Sequence, residues 1–147
     1  MAKKKYNFSI DLSTDSNFTV GGVPLPGSGF EYAESLGNST TSSSSYQEKL
    51  KLTTSLLDAG DYIVRWSAEF GNTKKDKKTK VRVQIDDVTT LTELTTSQFA
   101  INWYGPASGF AKVTLTNAIH EIDFDFKQDG GNTAQIKNAR LSIERIS

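Results

Sequence analysis

The sequence contains no cysteine, which removes disulfide staples, thiolate metal sites and any cysteine nucleophile. It contains one histidine, His120, so no cluster of imidazoles can assemble a metal centre. Neither sign of charge prevails: 17 Lys and Arg face 17 Asp and Glu, a net charge of +0. The chain-wide basic footprint of a nucleic-acid binder is therefore not expected. No run of about 18 apolar residues occurs, so no membrane span is expected either. No secretory apolar stretch follows Met1, and no P-loop, dinucleotide fingerprint or zinc motif is present. The expectation is a soluble protein made in the cytoplasm, with no cofactor, no metal ligand set and no catalytic residue.

Alternation with a period of two dominates what is there. Tyr46, Glu48, Leu50 and Leu52 fall on one face, with Gln47, Lys49, Lys51 and Thr53 opposite. Tyr62, Val64, Trp66, Ala68 and Phe70 repeat the pattern, followed by Val81, Val83 and Ile85. Phe99, Ile101 and Trp103 come next, then Ala111, Val113 and Leu115. The sharpest case sets Ile122, Phe124 and Phe126 against Glu121, Asp123, Asp125 and Lys127, and Leu141 with Ile143 closes the chain. Successive side chains of a strand point to opposite faces, so each run predicts a half-buried antiparallel strand. Turn residues punctuate the runs at residues 58–61, 71–72, 105–109 and 129–132. Residues 88–97 are ambiguous, but their threonines are stiff at χ1 and disfavour a helix. About eight strands with short turns predict an all-β fold, an antiparallel sandwich of the jelly-roll kind.

The first third of the chain departs from this pattern. After an alternating start at residues 6–12, residues 13–45 hold two of the three prolines, five glycines and four consecutive serines ending at Ser45. Yet Phe18, Val20, Val23, Leu25, Phe30, Tyr32 and Leu36 are scattered through it. A plain linker has little use for such side chains, whereas an arm lying on a neighbouring surface would bury them. The competing reading is a floppy surface loop. The expected organisation is an N-terminal strand and arm over residues 1–45, with a sandwich domain over residues 46–147.

Three clusters could carry chemistry. On a strand, Glu121, Asp123 and Asp125 share one face at about 7 Å spacing, a start toward a divalent-cation site if loops supply further oxygens. The favoured reading is a solvated outer face balanced by Lys or Arg on neighbouring strands. His120 reads as a satisfied histidine at the edge of the core. Residues 74–82 place six positive charges within nine residues, favoured as a charged hairpin that keeps a sheet edge soluble. Trp66 is in phase with the core. Trp103 and Tyr104 precede Gly105-Pro106, where exposed aromatics would stack on a sugar ring; burial in the sandwich is the commoner fate.

Two resemblances join these residues. The stretch Leu57-Asp58-Ala59-Gly60-Asp61-Tyr62, with residues 114–122 and the closing residues 134–143, resembles galactose-binding-like jelly rolls, the architecture of many carbohydrate-binding modules. Residues 46–50, 81–87 and 139–146 resemble small jelly-roll structural proteins of tailed bacteriophages, which decorate or cement capsids or form head fibres. The second resemblance implies a non-enzymatic virion protein assembled in the host cytoplasm. Its partners would be capsid or other virion subunits, in a homo-oligomer with a trimer favoured, and neither nucleic acid nor membrane. Phe18, Val20, Val23, Leu25, Phe30 and Tyr32 would then dock the arm. The alternative is a carbohydrate-binding jelly roll with Trp103 and Tyr104 as its sugar platform.

Overall fold

The computed structural model describes residues 19–20, 23–24, 29–97 and 100–147. Its elements are β1 (Thr19–Val20), β2 (Val23–Pro24), β3 (Phe30–Ser35), β4 (Ser39–Thr41), β5 (Gln47–Thr53) and β6 (Gly60–Asn72). They continue with β7 (Lys78–Ile85), β8 (Thr89–Ser97), β9 (Tyr104–Leu115), β10 (Glu121–Asp129) and β11 (Ala134–Arg145). Among the described residues there is no helix. β1 and β2 pair with each other, antiparallel. One sheet runs β5-β10-β7-β8, and the other runs β3-β11-β6-β9, with β4 added to β11 beyond the end of β3. Along the chain the eight long strands alternate between the two sheets, except that β7 and β8 form a hairpin within one. That is the jelly roll, two Greek keys closed face to face.

The alternating runs explain the core. Tyr62, Val64, Trp66, Ala68 and Phe70 of β6 meet Val81, Val83 and Ile85 of β7 and Ile122, Phe124 and Phe126 of β10, all buried. Two bulges shift the phase. In β11 Asn138 sits in the left-handed region at φ 53°, the extra residue between Lys137 and Arg140. Asparagine tolerates that conformation. The inward positions therefore jump from Ala134 and Ile136 to Ala139, Leu141 and Ile143. In β5 the pairing slips at Lys49, between Leu50 opposite Phe124 and Glu48 opposite Asp125. Leu50 and Leu52 stay inward, but Tyr46 turns outward, its ring under Arg82 (4.2 Å) and Lys127 (4.3 Å).

Three local expectations are corrected. Residues 105–109 are not a turn but part of β9, where small residues serve close packing. A Cβ on Gly109 would come within 2.7 Å of the Trp66 ring. Pro106 is tolerated because β9 is an edge strand. Residues 100–102 form a bend and turn, so no strand runs through Ile101 to Trp103; Phe99 lies outside the described residues. Finally, β3 and β4 belong to the five-stranded sheet although they lie within residues 1–45. The inward residues of β3 are Glu31, Ala33 and Ser35, and no large apolar side chain marks that face.

Candidate functional site

The outer face of the five-stranded sheet carries an open groove of about 430 Å³. Register builds it. One cross-strand row reads Tyr32, Ser142, Arg65, Phe110 along β3-β11-β6-β9, and the next reads Glu34, Arg140, Ser67, Ser108. Large aromatics thus stand at the two ends of a row, with serines between and below them. Phe110 is 71% exposed and Tyr32 47%, and Phe30 on β3 adds a third uncovered ring. The exposed rings therefore flank a polar row on this face, Tyr32 and Phe110 at its two edges with Ser142 and Arg65 between them.

The polar groups around the groove are held by partners. Arg65 Nη1 donates to Glu144 Oε2 at 2.8 Å, and Arg140 Nε lies 3.5 Å from Glu34 Oε2. The Tyr32 hydroxyl donates to Glu34 Oε2 at 2.5 Å, and this bond to a carboxylate raises the phenol above its ordinary pKa. Two arginines and two glutamates leave the groove close to neutral.

Of the arm residues expected to dock a partner, Phe30 and Tyr32 lie on this face. Val20 and Val23 belong to the β1–β2 pair, and Phe18 and Leu25 lie outside the described residues. Trp103 and Tyr104 make separate contacts. The Tyr104 hydroxyl donates to Asn38 Oδ1 at 3.0 Å and Lys137 Nζ sits 4.3 Å from its ring centre. The Trp103 ring instead folds over Gly105, where a Cβ would lie 2.9 Å from it. Sequence reasoning passed over Phe110, Arg65, Ser67, Ser108, Arg140 and Ser142. The available signal was phase: Phe110 is an aromatic out of step with Ala111 and Val113.

The acidic strand is not the solvated face expected of it. Asp123 and Asp125 are 3% and 6% exposed. They are packed beneath long neighbours: Arg82 Nη2 donates to Asp125 Oδ2 at 2.6 Å, and Lys51 Nζ reaches Glu121 (2.9 Å) and Asp123 (3.4 Å). Burial pushes the Asp123 carboxyl up, and nearby Asp87 and Asp125 reinforce this against Lys51. The balancing Lys and Arg on adjacent strands are as expected; the exposure is not. His120 is buried and satisfied, its Nδ1 2.7 Å from Asp86 Oδ2 and its Nε2 3.1 Å from the Thr116 carbonyl. In the basic hairpin, Lys80 and Arg82 pair with acids on the sheet while Lys74 and Lys75 stand exposed at the tip.

No family model and no curated protein matches the chain. Solved structures match its fold. An Eiger TNF from S. frugiperda is 11% identical, with a TM-score of 0.52 over 84% of this chain and 94% of that one. The infectious bursal disease virus VP2 of a subviral particle is 10% identical, with a TM-score of 0.54. PorU from Porphyromonas gingivalis, in a dimeric latent form, is 6% identical, with a TM-score of 0.58. This chain covers 94% of its own length in both of the last two, but only 41% of the VP2 chain and 14% of the PorU chain. What is shared is the sandwich. None of these three is a bacteriophage protein.

Proposed function

We propose that the protein is a non-enzymatic structural component of a virion, a capsid decoration, cement or head-associated protein that binds neighbouring subunits. The observation that carries this reading is the outer face of the five-stranded sheet, with Tyr32 and Phe110 uncovered above a serine floor. A buried aromatic contributes a large apolar area to an interface, and serines let a partner approach closely. A jelly roll assembled into a viral particle, as in the VP2 match, supports the same role. The proposed contacts are first with further copies of this chain, a trimer being favoured, then with capsid proteins; nucleic acid and membrane are not proposed. The location follows: the virion, after assembly in the host cytoplasm.

The test is the mass of the protein in solution and its binding to purified particles. The wild type should run as a multiple of 16.1 kDa. Phe110→Asp should run as a single chain with an unchanged melting temperature and lose particle binding. A wild type that stays monomeric at high concentration and ignores the particles would overturn the reading. One observation favours a second reading, a glycan-binding face: two exposed aromatics flank hydroxyls and Arg–Glu pairs, groups that suit sugar rings and their hydroxyls. Glycan-array binding that Phe110→Ala abolishes and Trp103→Ala leaves intact would select it.

A further inference from the structure

The net charge of +0 conceals two poles. β6 spans the sandwich with 13 residues, about 40 Å of extended strand, and connections gather at both of its ends. At the Gly60 end, the Leu57–Ala118 bridge and the bond from the Glu121 amide to Asp86 Oδ1 (2.9 Å) tie together residues 54–59, 86–88 and 116–120. Leu56 and Ile119 flank the bridge and Val88 stands on the turn, all three exposed. The charge here is acidic. Asp58 is exposed beside Arg145, Glu31 accepts from the Ser55 amide and hydroxyl, and Asp87 accepts from Gln84 Nε2 at 2.7 Å. Glu31 and Asp87 have no cationic partner among the described residues. At the Asn72 end, residues 74–78 hold four lysines and one aspartate. Asn72 Oδ1 accepts from the Lys74 amide at 3.1 Å and fixes the turn. Lys77 donates to the Gly130 carbonyl at 2.9 Å, and no ion pair engages the four lysines among the described residues. Exposed Ile101 stands at the same end, on a bend whose Asn102 amide donates to the Asn72 carbonyl at 3.3 Å.

We infer that the acidic end of one molecule, with Leu56, Val88 and Ile119 at its tips, docks head to tail on the lysine hairpin of a second copy. Charge complementarity selects a copy of this chain as the occupant. The two poles carry opposite signs, and the length of β6 keeps them from meeting within one molecule. On contact, Lys74, Lys75 and Lys78 come within reach of Asp58, Asp87 and Glu31. The three apolar tips leave water against Ile101 and the methylene stems of the lysines. Overall neutrality helps, because no long-range repulsion opposes approach. The two docking surfaces differ, so the contact is heterologous. Each added copy offers the same free ends again, and the series closes only as a ring or grows as a filament. This contact is separate from the aromatic groove and does not depend on the assembly reading.

Light scattering of the full chain across a concentration series tests the inference. One series is run in about 0.01 M sodium chloride, where charges act over about 30 Å, and one in about 1 M, where they act over about 3 Å. Mass at the highest concentration should be about twice or more in low salt what it is in high salt. Any association through the near-neutral groove persists in both and cancels from the ratio. Lys74→Glu with Lys75→Glu, on an exposed turn, should keep the melting temperature and abolish the excess. Val88→Ser with Ile119→Ser changes no charge and should remove most of it. Mixed one to one, the two variants supply one intact acidic end and one intact hairpin, so pairing should return and stop after a single contact. Equal masses in both salts would overturn the inference, and so would a mixture that stays apart. An excess that survives Lys74→Glu with Lys75→Glu would also overturn it. Loss of that excess in Lys3→Ser, Lys4→Ser, Lys5→Ser would then assign the acidic end to the N-terminal lysines.

Discussion

On the four-stranded sheet, the outward side chains of β5, β10, β7 and β8 are charges that find one another: Arg82 with Asp125, Lys51 with Glu121 and Asp123, Lys80 with Glu93 and Asp129. Tyr46 lies under two cations on the same face. On the five-stranded sheet, the same outward register carries Tyr32, Phe110 and three serines beside ion pairs of its own, Arg65 with Glu144, Arg140 with Glu34, Lys112 with Asp61 and Lys137 with Glu69. Strand geometry is common to both faces, so the difference lies in the side chains. A face whose charges are paired within it offers a partner little, because docking would only trade one set of contacts for another. A face with uncovered rings above small residues gains apolar burial when covered. The contrast teaches where to look for partners.

The largest expected effect separates two phenylalanines. Phe124 is 0% exposed and Phe110 71%. Phe124→Ala should cost about 3–5 kcal/mol by emptying a core site. Phe110→Ala should change stability by less than about 0.5 kcal/mol, as exposed substitutions usually do. Urea denaturation measures both. A mild Phe124 variant would mean that the faces of β10 are reversed, and a costly Phe110 variant that its ring is not on the surface.

A smaller contrast compares ion pairs on the two sheets. Asp125→Ala leaves Arg82 without its carboxylate in a site where Asp125 is 8% and Arg82 25% exposed; about 2–3 kcal/mol is expected, scaled down from a fully buried pair. Glu144→Ala removes an exposed partner of Arg65, worth about 0.2–1 kcal/mol. Equal costs in the same denaturation series would erase the distinction between a packed charged face and an open one.

These residues also show what the sequence could reveal. Strands β6, β7 and β10 were legible because large apolar side chains, Tyr62, Val64, Trp66 and Phe70, then Val81, Val83 and Ile85, then Ile122, Phe124 and Phe126, hold most of their inward positions. β3 was hidden because its inward side chains are Glu31, Ala33 and Ser35 while its rings face out. The groove was hidden for a related reason: its members come from four strands far apart in the chain, and only register aligns them. Likewise, spacing along β10 gathers Glu121, Asp123 and Asp125, but packing divides them, giving Asp125 to Arg82 and bringing Asp87 in from a distant turn. Within β9, glycine and proline imitated a turn, because the sequence does not show which ring a missing Cβ makes room for.

Gly109→Ala tests that last point. The added Cβ would meet Trp66 Cζ2 at 2.7 Å, and Trp66 is fixed in the core at 7% exposure. Overpacking of this kind costs about 1–3 kcal/mol. Because Gly109 also borders the groove, the change should deform the floor between Ser108 and Phe110. An Ala variant as stable as the wild type would mean that Trp66 can shift at little cost, and the groove floor with it.

The smallest effect is expected in the pH dependence at the edge of the charged sheet. Both nitrogens of His120 face acceptors, Asp86 Oδ2 and the Thr116 carbonyl, and only the doubly protonated ring can donate to both. Burial opposes that charge, but the hydrogen bonds that the ring donates to Asp86 and to the Thr116 carbonyl, with the Asp86 charge, outweigh it, and the histidine pKa is raised. Burial likewise opposes the charge on Asp86, yet bonds from the Glu121 amide and His120 hold its carboxyl below the ordinary value. The signs then follow. The contribution of His120 is fully present below the unfolded histidine pKa of about 6.5 and is lost as pH rises through the raised folded value. The contribution of Asp86 is present above about 3.9 and is lost as pH falls through its lowered folded value. Stability from this pair should therefore peak in mild acid and decline through neutrality. Asp86→Asn keeps an acceptor for the Glu121 amide and suits the left-handed turn, so it should flatten the decline with little other damage. Chemical denaturation across the range measures it; a wild type whose stability rises through neutrality at this pair's expense, or an Asp86→Asn variant with the same slope, would show that the imidazolium is not the favoured state.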